Sequence, residues 1–152
     1  VLIVGLGGLG CAAAQYLTTA GVGQITLVDG DTVDVSNLQR QVLHHDARIG
    51  MNKAESARQT LAVLNPNCQF EVIPRYLDES SVLSLVAAHD LVLDCSDNLD
   101  TRHLLNLICF QQQTPLVSGA AIRFEGQVAV FKRSDGNHGT FLLWHDRTPI
   151  HD

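Results

Sequence analysis

Three glycines and a handful of polar side chains carry most of the chemistry in this sequence. Gly5, Gly7 and Gly10 fall at the spacing G-x-G-x-x-G within VLIVGLGGLG, with Gly8 as an extra glycine. In such a loop the first glycine permits a tight turn and the second lets backbone approach phosphate. The third lets helix pack on strand, and the helix N-terminus adds free N–H groups and a positive dipole. Asp29 lies 19 positions after Gly10 and ends a second apolar run, QITLVD, where a carboxylate can accept hydrogen bonds from ribose hydroxyls. Arg40 offers a planar fork for phosphate oxygens. Lys53 falls in the first turn of a predicted helix, where a cation opposes the helix dipole but suits a bound anion. Asp97 comes just past a predicted strand, where a carboxylate could hold Mg²⁺ against triphosphate oxygens.

Each of these residues has a plainer reading. The glycines could form an ordinary turn beside an unremarkable strand-end Asp. Lys53 could be a solvated lysine, Arg40 a loop arginine paired with an Asp, and Ser96 or Asp97 a helix N-cap. The seven His residues show no metal-ligand spacing, and His44–His45 reads as a solvated pair. Cys11, Cys68, Cys95 and Cys109 form no C-x-x-C motif and read as small core residues rather than nucleophiles.

The elements that must position these groups alternate. Residues 1–4 are an all-apolar run that suits a strand buried on both faces, and CAAAQYLTTAG suits a helix ending near Gly21. A second strand over 24–29 leads into a polar connection of about twenty residues, long enough to suspect function. A helix over 51–65 follows, with Asn52 and Glu55 resembling a capping box and Asn65-Pro66 ending it. Then come a strand over 68–73, a helix over 78–89, a strand over 91–94 and a helix over 98–113. Strands over 114–121 and 126–133 flank a turn expected at Glu125-Gly126. This order predicts an α/β fold: a Rossmann-like, doubly wound, mainly parallel sheet with a glycine-rich nucleotide loop after the first strand.

Composition narrows the class. The 152 residues make one domain able to bury a core, and 45% are hydrophobic. A net charge of −6 argues against a general nucleic-acid or anionic-membrane binder. No apolar run approaches the roughly 20 residues of a membrane span, and the unpaired cysteines suit a cytoplasmic, reducing setting. The chain opens directly on a buried strand without a start methionine, so it reads as part of a longer protein.

Taken in order, GLGGLG, VDGDTVDVSNLQRQ, Lys53 in its helix, LDCSDN and PLVSGAAIRFEGQVAVF closely resemble the ThiF/MoeB/HesA family, bacterial relatives of the ubiquitin-activating enzymes. The resemblance runs from Val1 to about Phe131 and is strongest to the molybdopterin-synthase branch. It implies an ATP-binding adenylyltransferase domain over residues 1–132, with 133–152 an atypical tail. The implied reaction is adenylation of the C-terminal glycine carboxylate of a ubiquitin-like sulfur carrier, MoaD-like or ThiS-like, with release of pyrophosphate. It places Gly8 at the nucleotide, Asp29 on the ribose, Asn37, Gln39, Arg40 and Lys53 around the phosphates, and Asp97 with Asn98 at the Mg²⁺/ATP site. It further implies a homodimer in the complete protein, through an upstream helix that is not in this sequence. A structural zinc held by C-x-x-C pairs is also implied, whose cysteines are missing from KRSDGNHGTFLLWHDRTPIHD. The tail is therefore expected to pack poorly and hold no metal.

Two rival readings share the glycine loop. A nicotinamide-dependent oxidoreductase would use the loop and Asp29 but has no need of SNLQRQ, Lys53 and SDN as a triphosphate and metal clamp. An inactive nucleotide-binding scaffold would keep the loop and lack the reaction.

Overall fold

The structure is a computed structural model, and it describes residues 1–132; the expectations for residues 133–152 lie outside the described residues. Six strands form one sheet in the order β3-β2-β1-β4-β5-β6. They are β1 (Leu2–Val4), β2 (Gln24–Val28), β3 (Gln69–Ile73), β4 (Val92–Asp94), β5 (Leu116–Ile122) and β6 (Glu125–Phe131). The first five are mutually parallel and β6 returns antiparallel to β5. Four helices connect them: α1 (Gly8–Thr19), α2 (Lys53–Leu64), α3 (Glu79–Ala87) and α4 (Leu99–Gln112). The chain is therefore doubly wound, as the alternation of patterns predicts.

Burial explains why β1 has no polar position. Ile3 packs with Ile25, Leu27, Ala54, Ala57 and Leu61 on the face covered by α1 and α2. Leu2 and Val4 point the other way, into Val82, Val86, Leu105 and Leu116 under α3 and α4. A strand with helices on both faces has nowhere to show a polar side chain.

The strand order reverses between β1 and β4. Beyond their carboxyl ends the loops diverge to opposite faces and leave a crevice, the usual ligand position in such sheets. The register places Val4 beside Val28 and Asp94, so the residues that follow all three strands open at one level.

Two local expectations need correction. The β5–β6 turn is Arg123-Phe124, not Glu125-Gly126, because Ile122 pairs with Glu125 and Ala121 with Gly126. Arg123 takes a positive φ of 56° where glycine would be the usual choice, so the glycine signal misplaces the turn. The helix after the glycine loop begins at Gly8, inside the motif, with Gly7 as its N-cap. Among the described residues, no helix is long and apolar enough to cross a membrane.

Candidate functional site

The glycine loop is held by its neighbours on both sides. Gly5 has φ +93°, and a Cβ there would lie 2.6 Å from the Cys95 carbonyl oxygen, so only glycine lets β1 end this close to β4. Gly10 faces inward: a Cβ would lie 1.8 Å from the Gly5 carbonyl oxygen. Its lack of a side chain sets how tightly α1 packs on β1. Between these glycines, the Leu6 N–H donates to Asp29 Oδ2 at 2.6 Å, and the Asp31 N–H donates to Asp29 Oδ1 at 2.8 Å. Burial raises the Asp29 pKa, while those two N–H groups oppose the rise.

Asn52 ties the helix carrying Lys53 to the loop after β2. Its side-chain oxygen caps α2 by accepting from the Ala54 and Glu55 N–H groups. Its amide nitrogen donates to the carbonyls of Asp29 and Asp31 at 2.9 and 3.1 Å. Lys53 is therefore no solvated lysine. It is 6% exposed, and its Nζ lies 3.1 Å from Asp31 Oδ2. The Tyr76 hydroxyl donates to the other Asp31 oxygen, Oδ1. That bond, with help from Lys53, lowers the Asp31 pKa.

Across the crevice, Asn98 and not Ser96 or Asp97 caps α4, its side chain accepting from the Thr101 N–H at 2.8 Å. That leaves the Asp97 carboxylate free of capping, exposed at the cleft. The loop bearing it rests on a buried ion pair that the sequence did not disclose. Asp94 is fully buried and accepts from Arg102 Nε at 2.9 Å, from Ser118 Oγ at 2.6 Å and from Ser96 Oγ at 2.6 Å. Arg102 Nη2 donates in turn to the Ser96 and Gly119 carbonyls at 2.9 and 3.0 Å.

These elements enclose an open cleft of about 830 Å³. Gly5, Gly7, Gly8, Asp29, Asn37, Arg40, Lys53, Asp97 and Asn98 all line it. Arg40 is exposed over Gly8, with its Cγ 3.8 Å from where a Gly8 Cβ would sit. Arg40 Nη1 donates to the Ser36 carbonyl at 3.3 Å, and among the described residues it makes no ion pair, so the loop-Asp alternative does not hold. Two residues of the motifs read as the nucleotide site do not line the cleft. Gly10 is buried under the loop, and Gln39 bends back so that its Nε2 donates to the Ser36 carbonyl at 3.2 Å.

Residues the sequence did not single out also line the wall. Asp31, Tyr76, Gln41 and Arg102 do so. Only Asp31 left a usable signal, as the second acid in VDGD. Cys95 lines the cleft too, but burial pushes its thiol up to about 12, so it is protonated and no nucleophile at neutral pH. The reading of His44–His45 as a solvated pair fails for His44, which is 6% exposed. Among the described residues, no group of three or more His, Cys, Asp or Glu side chains could hold a metal ion.

The arrangement brings Arg40, Lys53, the glycine-rich start of α1 and the exposed Asp97 carboxylate to one cleft. Cations beside a helix N-terminus suit the chemistry of a phosphate anion. Residues 1–148 match the ThiF family. Over 136 residues the chain is 58% identical to the molybdopterin-synthase adenylyltransferase of Escherichia coli K12, covering 90% of this chain and 55% of that protein. The chain thus spans about half the length of the curated relatives it matches. A crystal structure of PaaA superposes with a TM-score of 0.81 at 26% identity, over 97% of this chain and 47% of PaaA. The E. coli tRNA N6-threonylcarbamoyladenosine dehydratase TcdA, solved in complex with ATP, gives a TM-score of 0.74 at 31% identity. That match covers 80% of this chain and 52% of TcdA.

Proposed function

The chain belongs to the ThiF family, and from that premise we propose that its cleft binds ATP for adenylation of the C-terminal carboxylate of a ubiquitin-like sulfur carrier. One observation carries the proposal: Lys53, Arg40 and Asp97, distant in sequence, share the cleft with the glycine loop. A dinucleotide needs no such clamp, which favours a triphosphate over a nicotinamide cofactor. The relatives named for adenylyl transfer to a molybdopterin synthase supply the reaction class.

The nucleophile is a carboxylate, already ionised at neutral pH, so no general base is required. It attacks the α-phosphorus, the bond to the bridging oxygen breaks, and pyrophosphate leaves with the electron pair. The protein's task is to bring two anions together and offset the charge between them. Asp29 would receive ribose hydroxyls while its backbone partners hold it in place. The Gly7–Gly8 backbone, at the start of α1, would receive phosphate oxygens. Lys53 has three N–H donors, and its Asp31 contact uses one, leaving two for phosphate. Arg40, above Gly8, would close the site from the solvent side. Asn37 would help from the same wall. Asn98 would act chiefly by starting α4, and so by placing Asp97.

Asp97 fits the magnesium ion this chemistry uses. Its carboxylate is exposed at the cleft, and Mg²⁺ needs only one or two carboxylates when phosphates and water complete its shell. Bound there, the ion would neutralise polyphosphate charge. No zinc site is proposed for residues 1–132, among which no cluster of three or more His, Cys, Asp or Glu side chains forms. The carrier, MoaD-like or ThiS-like, and a homodimer in the full protein belong to the same proposal, as does a cytoplasmic setting. Carrier-dependent exchange of pyrophosphate into ATP tests it, with tight NADH binding and no ATP binding as the contrary result.

A further inference from the structure

His44 sits beneath the glycine loop and touches both elements that would grip phosphate. Its Nε2 is 3.0 Å from the Leu6 carbonyl oxygen, and its Nδ1 is 2.9 Å from Ser56 Oγ. Leu6 lies between Gly5 and Gly7, and its own N–H is the group bound by Asp29. Ser56 is one turn after Lys53 on α2, and Arg48 Nη1 fixes the same turn by donating to the Ser56 carbonyl at 2.7 Å.

The partners dictate the ring's state. A carbonyl only accepts, so Nε2 must carry the hydrogen. In the neutral ring Nδ1 is then bare and accepts from the Ser56 hydroxyl. Cys11 Sγ, which also reaches the Leu6 carbonyl at 3.2 Å, is the remaining polar contact. The charged groups acting on the ring are Lys53 and Arg48 from the α2 side and Asp29 from the loop after β2.

We propose that His44 is a positioning residue of the nucleotide site, joining the Leu6 peptide to α2 and so fixing the Gly7–Gly8 backbone relative to Lys53. The inference rests on the ATP-binding reading above. With the ring removed, the loop keeps its Asp29 anchor and its apolar packing but loses its direct hydrogen-bonded link to the helix. The distance between loop amides and ammonium then becomes soft.

The experiment uses the full-length protein with His44→Leu, His44→Gln and Ser56→Ala. Leucine removes both bonds, whereas glutamine can still donate to Leu6 and accept from Ser56. His44→Leu is expected to raise the KM for ATP about tenfold, the factor that corresponds to losing about 1.4 kcal/mol of hydrogen-bonded positioning. His44→Gln should return it to within about threefold of wild type, and the KM for the carrier should hardly change. Ser56→Ala, which leaves the Leu6 bond intact, should give an intermediate rise, and it serves if His44→Leu does not fold. Imidazole ¹⁵N shifts in the wild type should show the Nε2–H tautomer at neutral pH. Equal ATP binding by wild type, His44→Leu and Ser56→Ala overturns the inference alone, as does an Nδ1–H ring. Failure of the wild type to bind ATP overturns the functional reading, and the inference with it.

Discussion

The ammonium of Lys53 lies 3.1 Å from the Asp31 carboxylate, two residues beyond the carboxylate that holds the glycine loop. The loop after β2 thus does two things with two acids. Asp29 orients backbone, and Asp31 orients the buried cation facing it. A lysine at the first residue of a helix is unfavourable for that helix, and here its charge is balanced by a partner outside the helix.

From this pairing, Lys53→Ala should weaken ATP binding or adenylation by about 2–4 kcal/mol, the usual loss for a charge-stabilising contact. Arg40→Ala should do the same. Titration calorimetry with ATP and rates in the full-length protein measure both. Unchanged values would make the two residues ordinary cations.

The glycines separate folding from binding. Gly10→Ala places a Cβ 1.8 Å from backbone and should prevent normal folding, seen as loss of a cooperative thermal transition. Gly8→Ala meets nothing closer than the Arg40 side chain at 3.8 Å, so the protein should fold normally. ATP affinity should nevertheless fall, because the added methyl stands in the cleft. A Gly8→Ala protein with full affinity would remove the loop from the phosphate site.

Asp94 and Arg102 form a buried pair whose partners span β4, β5 and the Asp97 loop. Removing one charge strands the other, so Asp94→Ala should cost about 3–5 kcal/mol of stability. Chemical denaturation measures this, and a loss below about 1 kcal/mol would contradict the assignment.

Acid should act on His44. Burial lowers its pKa in the folded protein below that of the free imidazole, near 6.5. Its contribution to stability is therefore complete above that value and is lost as pH falls toward the folded pKa, where folding must oppose protonation. Thermal midpoints of wild type and His44→Gln, measured from pH 8 to 5, should converge at the acid end. Parallel curves would place the titration elsewhere.

The chain pattern disclosed the sheet and the glycine loop because each depends on local signals. The all-apolar β1, the glycine spacing and Asp29 follow one another within thirty residues. The rest depends on contacts between distant segments. Nothing near His44 in sequence shows that its ring reaches Leu6, 38 residues away, and its neighbour His45 is exposed. Asp94 and Arg102 read as a strand end and a helix residue until α4 folds back over β4. Gln39 went wrong for the opposite reason. A short helical turn over Val35–Asn37 rotates it away from the cleft that Asn37 and Arg40 face.

The most direct test is pyrophosphate exchange into ATP by the full-length protein, with and without a ubiquitin-like carrier ending in glycine. The expected result is exchange that requires Mg²⁺ and the carrier's free C-terminal carboxylate, and that collapses in Lys53→Ala. Exchange independent of the carrier, or none at all in a protein that binds NADH tightly, would contradict the assignment of this cleft to carrier adenylation.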